Sequence, residues 1–152
     1  MFFLKELPTR QMLKTYQQRF PEMKIDTVEA ALRMLRQASL LMRELDAYFA
    51  SHDLSQLRFL ILIVLDREVE RKGLMPSEVA ARLDVSRPVM TRTLQTLATD
   101  GLLEFMDGDT DARVKLLRLT AQGKASLYKV LPGYYAQIEN FMQLQSDSPE
   151  QG

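Results

Sequence analysis

The segment DGDTDARV, residues 107–114, places three aspartates at alternate positions and an arginine two residues after the last of them. Alternating carboxylates are found in calcium loops, in polar turns and on surfaces that contact a partner. In an EF-hand loop that began at Asp107, the sixth position would be a glycine and the twelfth a glutamate. Ala112 and Arg118 occupy these two positions, so we exclude a calcium site of that kind.

The chain offers few groups for catalysis. It contains no cysteine, which excludes disulfides, zinc sites built on thiolates and cysteine nucleophiles. Its single histidine, His52, falls where a helix is predicted to end, which favours a capping or solvated side chain over a catalytic base. No nucleophile elbow, phosphate-binding loop or dinucleotide fingerprint is present. We therefore predict a protein that is not an enzyme, with no catalytic residue, metal site or cofactor.

A second group of polar residues has the chemistry to read DNA. Arginine forms paired hydrogen bonds with guanine, glutamine pairs with adenine, and threonine contacts a base edge or a phosphate. These residue types follow Ser86, the predicted cap of a helix whose first amides suit a phosphate. The alternative is that Arg92 pairs with an acidic neighbour and Thr91 only lies on the surface. The residues of the group are Ser86, Arg87, Pro88, Thr91, Arg92 and Gln95.

Three helices are predicted before this group. Apolar residues at helical spacing between Pro8 and Pro21 predict the first. The second is predicted to begin at about Asp26, with Asp26 or Thr27 as its cap, and to end near His52. The third contains the apolar run LRFLILIVL, and its polar tail favours a helix over a buried strand.

Ser55 is predicted to cap this third helix, which continues to about Arg71 before Gly73 stops it. Pro76 then opens a short helix, with Glu78 near its positive end. A tight connection leads from there to the helix that carries the polar group.

A hairpin and a last helix complete the pattern. The helix capped by Ser86 ends before Gly101, and apolar residues predict two short strands on either side of residues 107–114. Thr120 caps a final long helix, which a Pro-Gly pair at residues 132–133 is predicted to bend or interrupt. This order of elements predicts a winged helix-turn-helix, a mainly α fold with a small β-hairpin wing (α+β).

Five short motifs follow one another along this region: Glu78-Val79-Ala80, Ser86 with Thr91-Arg92, Gly101-Leu102, Asp111 with Arg113, and Leu119-Thr120 with Gly123. In this order and spacing they resemble the MarR (multiple antibiotic resistance regulator) family of bacterial transcription factors, closely over about residues 54–131. The resemblance implies a homodimer with interlocked terminal helices. We therefore predict N-terminal dimerisation helices at 1–54, a winged helix-turn-helix at 55–120, and a C-terminal dimerisation helix and tail at 121–152.

A helix-turn-helix inserts its second helix into the major groove, which gives the polar group above its predicted role. Arg113 follows the hairpin tip, where a guanidinium can enter the minor groove. Asp111 lies on the same face of a predicted extended segment and is placed to hold that guanidinium, as the resemblance also implies. The alternative is an exposed salt bridge of little consequence. Lys115 is a further predicted DNA contact, while Asp107 and Asp109 are predicted to form the turn and a solubilising tip.

The charge balance argues against a protein that binds any nucleic acid strongly. The chain has 20 basic and 20 acidic residues, and residues 74–120 contain six basic and seven acidic side chains. Glu104, Phe105 and Met106 stand where relatives often carry basic residues. DNA affinity should therefore be modest or concentrated on a few arginines. A winged-helix module that binds protein instead of DNA is the alternative function.

A homodimer reading a near-palindromic operator, acting as a repressor, is the predicted assembly. The second C-terminal helix common in the family is expected to be absent or reduced here, and residues 1–25 are expected to replace it in the dimer contact. The alternative is that the surplus apolar residues pack within one chain. That surplus consists of Phe2, Phe3, Leu4, Leu7, Tyr134, Tyr135, Ile138, Phe141 and Met142.

The resemblance also implies that a small molecule, often aromatic, releases such regulators from DNA. Nine methionines can line an adaptable pocket or simply fill the core, so no effector-binding residue is predicted. The longest apolar run is about half of what a membrane helix needs, and the N-terminus lacks the pattern of a signal peptide. We expect a soluble, cytoplasmic protein.

Overall fold

The computed structural model describes residue 2 and residues 4–147, which form two compact units, Met1–Leu45 and Asp46–Gly152. The predicted domain boundaries at residues 54 and 120 remain predictions. Phe3, assigned to the dimer contact, and residues 148–152 of the predicted tail lie outside the described residues.

The first unit contains helix α1, Arg10–Arg19, and most of helix α2, Ile25–Ala50. Thr9 caps α1 because its Oγ1 accepts a hydrogen bond from the amide of Met12 at 3.3 Å. The predicted cap of α2 is wrong, since the helix already begins at Ile25. Asp26 instead lies in the first turn, where its carboxylate accepts a 2.6 Å hydrogen bond from Arg10.

In the second unit, helix α3 spans Gln56–Asp66 and begins as predicted, because Ser55 Oγ accepts the Arg58 amide at 3.2 Å. The predicted continuation to Arg71 is wrong. The chain leaves the helix after Asp66, and Leu74 further along is extended and pairs with Leu117, through hydrogen bonds of 3.0 Å and 2.7 Å between their backbones. Gly73 therefore does not end α3.

Helix α4 spans Pro76–Ala81, and helix α5 spans Arg87–Thr99. Both begin where the sequence predicts them to begin. Gly101 follows α5 with a φ of 74°, a left-handed conformation that glycine adopts without steric cost and that lets the chain turn away from the helix.

The wing consists of strands β1, Leu103–Asp107, and β2, Lys115–Leu119, with the turn between them. The strands pair antiparallel, with Leu103 opposite Leu119 and Asp107 opposite Lys115. The sequence predicted this hairpin to within about two residues at each strand end.

Helix α6, Ala121–Asp147, is capped by Thr120, whose Oγ1 accepts the amide of Gly123 at 3.0 Å and donates to the carbonyl of Gly101 at 2.5 Å. The predicted interruption at Pro132 is wrong, because the helix continues through it; a bend there stays a prediction. The Tyr48 hydroxyl donates to the carbonyl of Val130 at 2.7 Å and supports the turn that contains the proline.

Two aromatic side chains assigned to the dimer contact pack within the chain instead. Phe141 is buried. Tyr134 contacts the rings of Phe49 and Phe59, with centroid distances of 5.8 Å and 4.7 Å. For these residues the intramolecular alternative is correct, because the chain itself covers Phe141 and packs Tyr134 against two core rings. None of the described helices combines the length and apolar character needed to cross a membrane.

We expect Gly123→Ala to destabilise the protein by about 2–4 kcal/mol, because a Cβ there would lie 1.8 Å from the carbonyl oxygen of Leu102. Thermal unfolding of the variant and of Lys129→Ala, an exposed position on the same helix, measures the difference. Equal thermal unfolding midpoints for the two variants would show that the start of α6 can move away from Leu102.

Candidate nucleic-acid interface

Helix α5 has one buried and one exposed face. Met90, Leu94 and Leu97 anchor it in the core, with exposed fractions of 2%, 2% and 0%. The predicted DNA-reading residues are all exposed and cluster at the cap and in the N-terminal part of the helix, so the structure brings them together on one surface. These residues are Ser86, Arg87, Pro88, Thr91, Arg92 and Gln95.

Arg87 and Arg92 keep their guanidinium groups available. Within the described part of the chain, neither side chain takes part in a hydrogen bond or an ion pair. The suggested alternative, an acidic partner for Arg92, is therefore wrong for this structure. Two exposed cations without partners on one helix face suit a ligand that presents hydrogen-bond acceptors or negative charge.

Ser86 occupies the N-cap position of α5, with φ −67° and ψ 151°, as predicted. Its hydroxyl, however, makes no hydrogen bond to the first turn of the helix. The expected side-chain cap is thus wrong, and this hydroxyl does not occupy the first-turn amides that a phosphate would use.

The preceding helix is fixed by an ion-paired glutamate. Glu78 accepts hydrogen bonds from the amide of Met75 and from Arg71, each at 2.8 Å. The Met75 amide and then the Arg71 guanidinium hold the pKa of the Glu78 carboxyl below its ordinary value. An open groove of about 560 Å³ separates α4 from α5, and Arg87 and Thr91 are among its lining residues.

Asp111 and Arg113 form the predicted pair, but the backbone that carries them is not extended as predicted. The segment at residues 111–114 is a turn, not an extended strand. Asp111 Oδ1 accepts the Arg113 amide at 2.9 Å, which is the local hydrogen bond that aspartate makes two residues ahead in turns. The prediction of a shared strand face is wrong because this bond folds the backbone.

The same turn brings the guanidinium onto the carboxylate. Arg113 Nε and Nη2 donate to Oδ1 and Oδ2 of Asp111, both at 3.1 Å. These bonds, together with the backbone bond, hold the pKa of the Asp111 carboxyl below its ordinary value. The Arg113 side chain remains 92% exposed, so it is oriented without being covered.

The other wing cations also have acidic partners. Lys115 pairs with Asp107, and Arg118 Nε lies 2.5 Å from Glu104 Oε1. Lys72 Nζ, from the segment between α3 and α4, lies 2.5 Å from Asp109 Oδ1. Sequence reasoning missed Lys72 because it was assigned to the end of a helix. Asp107 and Asp109 therefore do more than shape the turn, since each one binds a lysine.

Comparison with known proteins identifies this architecture. Residues 52–114 match the model of the MarR family. The HTH-type transcriptional repressor YetL of Bacillus subtilis (strain 168) is 29% identical over 144 residues, which cover 95% of this chain and 86% of YetL. A crystal structure of the M. tuberculosis transcriptional regulator MosR in complex with DNA is 30% identical, covers 79% of this chain and 83% of MosR, and has a TM-score of 0.58.

Residues 52–114 of the chain therefore carry a MarR family domain. The winged-helix fold is also that of AbsC, a MarR family transcriptional regulator from Streptomyces coelicolor, with a TM-score of 0.70 at 23% identity over 82% of this chain and 84% of AbsC. The family relatives are transcription regulators rather than enzymes. In this chain α5 is the second helix of the helix-turn-helix, and DNA contact by its arginines stays a prediction.

The Glu78 contacts predict a pH-dependent stability. Because the folded-state pKa of Glu78 is lowered, its contribution is present above the ordinary pKa and is lost as the pH falls through the folded value. We expect Glu78→Gln to cost roughly 0.5–1 kcal/mol at about pH 7 and less at about pH 3. Denaturant unfolding at both pH values measures the loss of unfolding free energy in the variant, with Glu139→Gln as control. A loss that does not change with pH would contradict this prediction.

Proposed function

We propose that this MarR family regulator is a homodimeric repressor that binds a near-palindromic operator through α5 and the wing, in the cytoplasm where such DNA lies. The observation that carries the proposal is the exposed surface of α5, which presents two unpaired arginines while apolar residues of the same helix are buried. A fixed helix with free guanidinium groups is suited to the major groove, because its contacts require little rearrangement.

The base-reading roles follow from the position of each side chain. Arg87 and Arg92 are suited to guanine, and Gln95 to adenine, while Thr91 contacts a base edge or a phosphate. Ser86 and the first amides of α5 approach the phosphate backbone, and Pro88 fixes the first turn. These contacts explain how a chain without net positive charge can still bind DNA specifically.

The wing supplies the contact outside the major groove. Arg113 is held by Asp111 at its Nε and Nη2 atoms, and its other terminal nitrogen is not engaged by that carboxylate. A guanidinium that is exposed and held in one direction loses less side-chain freedom when it enters a minor groove. Lys115 lies at the start of β2, close enough to this tip to contact the neighbouring phosphate backbone.

Dimerisation doubles the number of base pairs that are read, and the exposed apolar side chains support it. Tyr135 and Met142 on α6 have exposed fractions of 51% and 54%, and Leu4 in the first unit is 45% exposed. Exposed apolar residues of this size are commonly covered in an assembly. The proposal includes residues 1–25 as part of this contact.

Release from DNA by a small molecule is the second part of the regulatory cycle. The groove between α4 and α5 has apolar walls beside Arg87. A small molecule with an apolar body and one negatively charged group, bound there, would compete with DNA for this arginine. A winged-helix module that binds only protein is the competing function, and the neutral charge of the chain is what favours it.

We expect the purified protein to select a near-palindrome from a random DNA pool and to bind it as a dimer. Affinity for the selected operator should fall steeply with salt, because binding releases counterions from phosphate. Fluorescence anisotropy across a salt series and sedimentation of the complex measure both. Absence of any enriched sequence, or affinity that is insensitive to salt, would favour the protein-binding alternative. Small-molecule screening for release of this complex then tests the effector.

Arg113→Ala should weaken operator binding about tenfold and reduce the salt slope by about one. Asp111→Asn removes a negative charge, which alone would strengthen binding, so a weaker complex would identify its role in orienting Arg113. Lys129→Ala, an exposed cation on α6, is the matched control. Operator affinity of Arg113→Ala equal to that of the control would remove the arginine from the interface.

A further inference from the structure

Lys72 belongs to the surface of the wing, although it precedes the helix-turn-helix in sequence. The segment that contains it runs beside β2, because Leu74 pairs with Leu117 through two backbone hydrogen bonds. This pairing places Lys72 Nζ 2.5 Å from Asp109 Oδ1 at the tip of the hairpin. The tip therefore presents a cation that neither strand of the hairpin supplies.

The cations of α5 and those of the wing differ in whether they form ion pairs. Arg87 and Arg92 have no ion pair within the described residues, whereas Lys72 and Lys115 are each bound to an aspartate of the wing. The two pairs are well exposed: the exposed fractions are 60% and 63% for Lys72 and Asp109, and 55% and 59% for Lys115 and Asp107.

Exposed ion pairs of this kind contribute little to stability, so a lysine can exchange its aspartate for a DNA phosphate at small cost. The aspartate, however, stays within a few ångströms of the phosphate and repels it, since this distance is shorter than the screening length in physiological salt. Binding to non-operator DNA rests almost wholly on phosphate contacts, whereas operator binding also draws on base contacts. An equal penalty would lower both affinities by the same factor. Base contacts, however, hold the operator complex in one register on the duplex, whereas a complex held by phosphates alone meets the aspartates in every register, so the repulsion weakens non-operator binding by the larger factor.

We propose that Asp107 and Asp109 are specificity-determining residues, which occupy Lys115 and Lys72 as internal competitors of DNA phosphate and so suppress binding to non-operator sequences. Lys72 is then a further phosphate contact of the operator complex. This inference rests on the proposed DNA-binding function and adds a role for the acidic wing tip within it.

The first experiment neutralises the two carboxylates with Asp107→Asn and Asp109→Asn in one protein. Affinities are measured by anisotropy for the selected operator and for a scrambled duplex of equal length, across a salt series. We expect affinity for the scrambled duplex to rise about tenfold, with a steeper salt dependence, and affinity for the operator to rise several-fold less. The control variant combines Glu139→Gln and Asp147→Asn on α6, which gives the same change in net charge away from the wing.

The second experiment tests the exchange of Lys72. Lys72→Ala should weaken binding to the scrambled duplex about two- to fivefold more in the Asp109→Asn background than in the wild-type protein, because only there is the lysine free of its internal partner. A positioning role in the fold alone would instead change the unfolding midpoint, which is recorded for every variant.

The outcomes separate this inference from the function on which it rests. If the wild-type protein binds its operator but the double aspartate variant shows the same ratio of operator to scrambled affinity as the α6 control, the inference is overturned and the function stands. Equal effects of Lys72→Ala in both backgrounds overturn the exchange. Failure of the wild-type protein to bind any selected DNA overturns the function, and the inference with it.

Discussion

The orientation of the exposed polar residues of α5 depends on the burial of its apolar side. Met90, Leu94 and Leu97 are almost fully removed from solvent, which fixes both the axis and the rotation of the helix. A rotation of the helix would expose part of this apolar surface, so the polar face has one orientation only. The arginines on that face then need no partner within the chain to hold them, because the backbone that carries them is already fixed.

The wing is held by a different interaction, the backbone pairing of Leu74 with Leu117. It adds a short third edge to a two-stranded hairpin, which alone has little stability in water. The same pairing ends α3 early and brings Lys72 to Asp109. One pair of hydrogen bonds therefore decides where a helix stops, how the hairpin is supported and which cation reaches its tip.

Features set by neighbouring residues were predictable from the sequence, and features set by distant pairing were not. Ser55, Pro76 and Thr120 mark helix starts through local capping chemistry, and the Asp111–Arg113 contact spans two residues. The end of α3 and the Lys72–Asp109 pair depend on a strand contact across about forty residues. A local signal did exist, because Met75 precedes a proline and such residues are extended. It indicated an extended segment but not its partner.

The distribution of charge also explains why net charge is a poor guide to this protein. Residues 74–120 contain one more acidic than basic side chain, which suggests weak DNA binding. These charges are not paired evenly in the structure. The carboxylates of the wing form ion pairs with wing cations, while the arginines of α5 remain unpaired. Non-specific attraction depends on total charge near phosphate, whereas base reading depends on a few free guanidinium groups. Under the proposed function, a chain that neutralises the first and keeps the second would discriminate between sequences more than it binds tightly.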